Sequence, residues 1–118
     1  MSLAATVLFA EDDPSIRQNL AQFLSIQGYR VLTAEDGFEA LRLLTQQDVD
    51  LLLTDIVMPG LDGVELARKA TALRPQMPVM FLTGYASKGS EAIHMGKLLY
   101  KPLRAAAIEA ELRDVLAH

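Results

Sequence analysis

One segment, residues 51–65, passes from an apolar run to an acidic residue and on to a helix start; it reads LLLTDIVMPGLDGVE. A short apolar run such as Leu51 to Leu53 is typical of a strand buried on both faces of a sheet. This strand is predicted to end at Asp55. Further on, Asp62 precedes Glu65 by three residues, a pairing that predicts a capped helix start. A buried strand leading into a helix is the repeating unit of a parallel α/β sheet.

The same alternation recurs along the chain. Strands are predicted at residues 6–10, 30–34, 51–55, 79–83 and 97–100. Helices are predicted from Pro14 to the glycine at 28, from Asp36 onward, from Asp62 to about residue 73, weakly over 87–95, and beyond Pro102 to the end. The pattern predicts one domain over residues 1–118, with a core at about 6–117 and no output domain. Its predicted fold is a flavodoxin-like, doubly wound, five-stranded parallel sheet of order 2-1-3-4-5 with helices on both faces.

Composition excludes several classes of function. The 118 residues carry a formal net charge of −4 and no cysteine, which excludes disulfide scaffolds and thiolate metal sites. Basic residues are scattered, so direct nucleic-acid binding is not expected. No segment approaches the ~20 apolar residues that span a membrane, and no basic residue precedes the apolar stretch at 3–10. A cytoplasmic protein without membrane insertion is predicted.

Five polar residues are predicted to meet at one edge of the sheet. Parallel α/β sheets bind ligands outside the carboxyl ends of their strands, at the switch point of strand order. The residues at the predicted ends are Glu11 and Asp12, Asp55, Thr83 and Lys101. Carboxylates gathered in one place repel one another unless a cation compensates, and Mg²⁺ prefers oxygen ligands of this kind. A carboxylate held beside such an ion can attack phosphorus.

The chain resembles a response-regulator receiver domain, the phosphoacceptor of two-component signalling, from about Val7 to the end. The resemblance rests on four motifs that lie in order at the predicted strand ends. These are Glu11-Asp12-Asp13-Pro14, the stretch from Leu53 to Gly63, Leu82-Thr83-Gly84 and Lys101-Pro102.

The resemblance implies a Mg²⁺-dependent phosphorylation of Asp55 by a phosphohistidine. The donor would be a sensor histidine kinase or a histidine phosphotransfer protein. Asp12 would bind the Mg²⁺ directly, Glu11 would help through water, and the backbone carbonyl of Val57 would complete the protein ligands together with Asp55. The domain would assist its own phosphorylation and dephosphorylation without being an enzyme in the usual sense.

A conformational relay is also implied. Thr83 and Lys101 would contact phosphoryl oxygens and carry the change to the surface of the fourth and fifth strand-helix units. The sequence departs from the family pattern at Leu98, where receivers commonly carry an aromatic residue. An aromatic residue appears instead at Tyr100, which is a different position. The sequence departs again at Glu11, where an aspartate is common.

Two other functions stay open at this point. A haloacid-dehalogenase-like phosphatase also uses an aspartyl nucleophile, but it expects an Asp-x-Asp pair at the end of the first strand, where Glu11 stands. An interaction module would use the fold without phosphorylation. The sequence also leaves open the downstream target, a phosphorylation-dependent dimer, and whether the chain stands alone or belongs to a hybrid histidine kinase.

Several polar or apolar residues have simpler interpretations. Asp13, Asp36 and Asp62 are predicted helix caps rather than metal ligands. The isolated His94 and His118 are not expected to bind metal or donate phosphoryl groups. A partner surface could include Tyr85, Ile93, Leu98 and Tyr100.

Overall fold

Five strands and four helices make up the described part of the chain, residues 4–84 and 94–117 of a computed structural model. The strands are β1 (Thr6–Ala10), β2 (Arg30–Ala34), β3 (Leu51–Asp55), β4 (Val79–Thr83) and β5 (Lys97–Tyr100). The helices are α1 (Pro14–Ile26), α2 (Gly37–Gln46), α3 (Gly63–Leu73) and α4 (Ala105–Leu116). These bounds confirm the predicted elements. The weak helix over 87–95 lies outside the described residues except for its last two, which form a turn.

The strands form one parallel sheet of order β2-β1-β3-β4-β5, as predicted. Its register aligns the carboxyl ends: Ala10 pairs with both Ala34 and Thr54, and Asp55 pairs with Leu82. Backbone hydrogen bonds continue beyond the strands, from Glu11 N to the Ala34 carbonyl (3.0 Å) and from Lys101 N to the Thr83 carbonyl (2.7 Å). Glu11 and Lys101, the first residues after β1 and β5, therefore continue the hydrogen-bond pattern of the sheet.

The three central strands are buried along their whole length, which explains their uniformly apolar sequences. Alternate residues enter two separate cores. Leu8 and Leu52 belong to the core beneath α2 and α3. Phe9 and Leu53 belong to the core beneath α1 and α4. The helices thus pack against both faces of the sheet, and the carboxyl ends of the strands remain available for a site.

Aspartate caps begin the first three helices, as the sequence predicts. The Asp13 carboxylate accepts from the amides of Ser15 (2.8 Å) and Ile16 (3.1 Å). Asp36 accepts from Glu39 N and Asp62 from Glu65 N, at 2.8 and 2.9 Å. These hydrogen bonds occupy the three carboxylates at helix starts.

Ile16 in α1 is more exposed than its helical spacing from Leu20 and Leu24 would indicate. Ile16 shares a stripe with Leu20 and Leu24, yet Ile16 is 39% exposed whereas both leucines are buried. It lies in the first turn of α1 and lines an apolar cavity of about 360 Å³ that Pro102 and Leu103 also line. The stripe therefore leaves the core at the sheet's carboxyl edge.

Among the residues that the structure describes, no helix is both long and apolar enough to cross a membrane.

Candidate functional site

Three carboxylates meet where β1 and β3 end. Oxygen atoms of Glu11, Asp12 and Asp55 all lie within 4.8 Å of one another. Glu11 is 1% exposed and Asp55 7% exposed, whereas Asp12 faces solvent. The predicted cluster therefore has two buried members and one that is open to an incoming ligand.

Lys101 joins two of these carboxylates from the end of β5. Its ammonium donates to Asp55 Oδ2 at 2.7 Å and to Glu11 Oε1 at 3.1 Å. Buried carboxylates need such a partner because their charge is poorly solvated. The sequence predicted that Lys101 would reach this edge of the sheet, and the structure places it in direct contact with Glu11 as well as Asp55.

Burial and charge together perturb the pKa values at this site. Burial raises the pKa of Glu11 to about 7; the Asp55 charge also raises it, while Lys101 and the Asp13 amide lower it in part. Burial lowers the pKa of Lys101, but its contacts with Asp55 and Glu11 outweigh burial and leave that pKa above its ordinary value. Near neutral pH, Glu11 without a metal ion therefore exchanges between its neutral and charged forms.

The pKa of Glu11 predicts a pH dependence of stability. Because this pKa is about 7 in the folded chain against an ordinary 4.5, the folded state holds more protons than the unfolded state between those values. The Glu11 contribution to the free energy of unfolding is therefore greatest below pH 4.5 and falls as the pH rises through 7. Urea unfolding without divalent ions at pH 5 and pH 8 measures this fall.

The Glu11→Gln variant is the control for that pH profile, because glutamine does not titrate. Its stability should decline less than that of the unsubstituted chain between pH 5 and pH 8. Equal declines in the two proteins would show that Glu11 is not the group responsible.

Val57 contacts Asp55, and Thr83 ends the neighbouring strand β4. Val57 N donates to Asp55 Oδ1 at 3.3 Å, so the loop after β3 folds back over the aspartate that ends the strand. Thr83 is fully buried, and it follows Leu82, the register partner of Asp55. Thr83 ends β4 as predicted, whereas the roles of the Val57 carbonyl toward Mg²⁺ and of the Thr83 hydroxyl toward a phosphoryl group stay predictions.

The donor atoms fit a hard divalent cation. Mg²⁺ is commonly bound through one or two carboxylates, with water and phosphate oxygens completing its shell. Asp12 is open to solvent and Asp55 lies next to it, and oxygen is the only donor type in the cluster. Glu11 is already engaged by Lys101, which suits it to a contact through water.

Other residues singled out from the sequence lie outside this cluster. Asp13, Asp36 and Asp62 are helix caps. His94 is exposed in a turn, Leu98 is half-buried, and Tyr100 is 52% exposed. Tyr85, Ile93 and His118 lie outside the described residues.

Sequence reasoning missed two side-chain contacts, one at the loop that carries Glu11 and one at the opposite end of the sheet. Arg17 Nη1 donates to the Glu11 carbonyl at 2.8 Å. The Tyr29 hydroxyl donates to Glu109 Oε2 at 2.7 Å and ties the segment after α1 to α4; burial and this bond raise the pKa of Tyr29 to about 12. An arginine in a first helical turn and a tyrosine before a strand are ordinary surface residues in sequence, so neither pattern gave a signal.

Comparison with known proteins identifies the family of this chain. The family model described as "Response regulator receiver domain" matches residues 7–113. The chain belongs to this family, which confirms the resemblance inferred from its four motifs. Members are phosphoacceptor domains of two-component systems, and the parallel sheet and acidic cluster described above agree with that class.

Individual relatives share most of the chain. The response regulator receiver protein CpdR of Brucella abortus (strain 2308) is 40% identical over 114 residues, which cover 93% of this chain and 95% of that protein. A CheY-like receiver domain from Methanospirillum hungatei JF-1 superposes with a TM-score of 0.91 at 30% identity, covering 98% of this chain and 95% of that one. The receiver domain of the hybrid histidine kinase CckA gives a TM-score of 0.83 at 34% identity, with coverage of 95% and 99%.

Proposed function

We propose that this chain, as a single receiver domain, is a phosphorylation-gated switch in which Asp55 accepts the phosphoryl group. One observation carries the proposal: the Asp55 carboxylate lies within a three-carboxylate cluster and 2.7 Å from the Lys101 ammonium. This arrangement supplies an attacking oxygen, a place for a divalent cation and a fixed positive charge. Phosphoryl transfer needs mainly alignment and neutralisation of the phosphoryl oxygens, which these groups offer.

The proposed transfer has a simple balance of bonds. One Asp55 carboxylate oxygen attacks phosphorus, the phosphorus–nitrogen bond of the phosphohistidine breaks, and the imidazole leaves with the electron pair of that bond. Asp12, Asp55 and the Val57 carbonyl would hold Mg²⁺, with Glu11 assisting through water. Bound there, Mg²⁺ would neutralise charge on the phosphoryl oxygens. Lys101 and the Thr83 hydroxyl would contact the remaining oxygens.

The relay to a binding surface starts at Lys101. Its ammonium holds Glu11 and Asp55, and its backbone amide donates to the Thr83 carbonyl. An aspartyl phosphate would compete for this ammonium, because it adds negative charge and acceptor oxygens at Asp55. Movement of Lys101 would then shift the ends of β4 and β5 together and alter the surface that their strand-helix units form.

The proposed donor is a sensor histidine kinase or a histidine phosphotransfer domain, and the proposed location is the cytoplasm. One structural neighbour is the receiver domain of a hybrid histidine kinase, which supports a histidine donor. The output is proposed to be a protein target rather than nucleic acid, because the net charge is −4 and the basic residues are scattered. Dimerisation on phosphorylation belongs to the same proposal.

Labelling by a small phosphoryl donor tests the proposed function. Incubation with acetyl phosphate and Mg²⁺ should place one phosphoryl group on each chain, and EDTA should prevent it. Continuous turnover of a generic phosphate ester would favour the phosphatase instead. If neither Mg²⁺ nor the donor alters the amide NMR spectrum, the chain is an interaction module.

A further inference from the structure

Arg17 contacts the loop that joins β1 to α1, which carries two of the three clustered carboxylates. This residue stands in the first turns of α1 and is half-buried. Its guanidinium reaches back along the chain, and Nη1 donates to the Glu11 carbonyl at 2.8 Å. Its own backbone amide donates to the Asp13 carbonyl at 2.9 Å. The guanidinium therefore holds the residue before Asp12, while the ordinary backbone hydrogen bond of the helix holds Asp13 after it.

The carbonyl contact completes the restraint of Glu11. The Glu11 amide donates to the Ala34 carbonyl, Oε1 accepts from Lys101, and Oε2 accepts from the Asp13 amide. With the Arg17 contact, every polar group of Glu11 has a partner. Three of these contacts involve the sheet, the loop itself or Lys101, and the fourth ties the loop to a side chain of α1.

Asp12 depends on this restraint more than its neighbours do. Glu11 is buried, and Asp13 caps α1 through the amides of Ser15 and Ile16. Asp12 is exposed, so its position follows from the fixed peptides on either side. Metal sites commonly rely on such supporting hydrogen bonds, and losing one typically weakens metal binding 10–100-fold.

We propose that Arg17 is a positioning residue that fixes the Glu11–Asp13 loop so that the Asp12 carboxylate is set for Mg²⁺. The inference rests on the proposed function, since it assigns a role within the same cation site. If Arg17 acted on the site through its charge alone, its removal would change the Mg²⁺ affinity in the opposite direction. The guanidinium is a cation near a cation site, so its removal on electrostatic grounds alone would tighten Mg²⁺ binding.

The direction of the change in Mg²⁺ affinity therefore tests the proposal. The dissociation constant is measured by following amide chemical shifts during a MgCl₂ titration of the unsubstituted chain, Arg17→Met and Arg17→Lys. Arg17→Met should raise the constant roughly tenfold. Arg17→Lys, which keeps one donor and the charge, should bind Mg²⁺ with intermediate affinity.

Arg42→Met is the matched control. Arg42 is an exposed helical arginine that pairs with Glu39 on α2, so its loss changes the net charge equally without touching the loop. Its Mg²⁺ affinity should stay within about twofold of the unsubstituted value. Labelling by acetyl phosphate should be near normal in Arg42→Met, because Arg42 lies outside the loop and pairs with Glu39.

If Arg17→Met folds, unchanged or tighter Mg²⁺ binding by that variant overturns the proposal. If Arg17→Met does not fold, unchanged Mg²⁺ binding by Arg17→Lys overturns it instead. Failure of the proposed function is distinguishable from either result. It would show in the unsubstituted chain, as an absence of Mg²⁺ binding or of labelling.

Discussion

Replacing Asp55 by asparagine is expected to reduce phosphoryl labelling by more than about a hundredfold, because an amide offers no carboxylate oxygen for attack on phosphorus. The fold should persist. Asparagine keeps the shape of the side chain and an oxygen that can accept from Lys101 Nζ, which lies 2.7 Å from Asp55 Oδ2. The measurement is the fraction of chains that carry a phosphoryl group after incubation with acetyl phosphate and Mg²⁺.

Asp62→Asn is the matched control for this substitution. Asp62 lies in the segment that follows β3, but its carboxylate caps α3 by accepting from Glu65 N at 2.9 Å. Asparagine is an equally good cap, so stability and labelling should both stay close to normal. Labelling of Asp55→Asn to the level of this control would place the acceptor elsewhere.

Replacing Gly63 by alanine is expected to destabilise the chain by about 3 kcal/mol, the upper end of the usual cost of overpacking. A Cβ at Gly63 would lie 2.1 Å from the Asp55 carbonyl oxygen and 2.8 Å from the Ile56 Cα, both backbone atoms. The start of α3 would have to move away from β3. That movement would also break the hydrogen bond from Gly63 N to the Ile56 carbonyl, 2.7 Å long.

Gly84→Ala is the matched control, because a Cβ at Gly84 would meet no atom of the residues that the structure describes within 4 Å. Its free energy of unfolding in urea should change by less than about 0.5 kcal/mol. Gly63→Ala should in addition label more slowly, since the added Cβ presses against the backbone of Asp55. Equal stability of the two variants would mean that α3 does not approach β3 as closely as described.

The fold could be predicted because its signals are local. The apolar runs of β1, β3 and β4 end at polar residues, and aspartates mark the starts of α1, α2 and α3. Strand order followed from the flavodoxin-like class rather than from any pair of residues. Spacing alone does not explain the exposure of Ile16, because helical spacing identifies a face but not where the neighbouring sheet stops.

The meeting of strand-end residues at one edge of the sheet could be predicted from the sequence, but the contacts among them could not. Strand ends brought Glu11, Asp55 and Lys101 to one edge, yet only the structure shows one ammonium shared by both carboxylates. The contact of Arg17 with the Glu11 carbonyl could not be predicted, because a side chain that donates to a backbone carbonyl requires no particular residue type as its partner. The bond between Tyr29 and Glu109 joins residues 80 positions apart, beyond the reach of any local pattern.

Reduction of the phosphorylated chain by borohydride identifies the residue that carries the phosphoryl group. Borohydride cleaves an acyl phosphate and converts the aspartate that carried it to homoserine, which peptide mass spectrometry locates. After labelling with acetyl phosphate and Mg²⁺, homoserine should appear at position 55 and at no other aspartate. Homoserine at another position, or a stable phosphoryl group on His94 or a hydroxyl side chain, would contradict the assignment of Asp55 as phosphoacceptor.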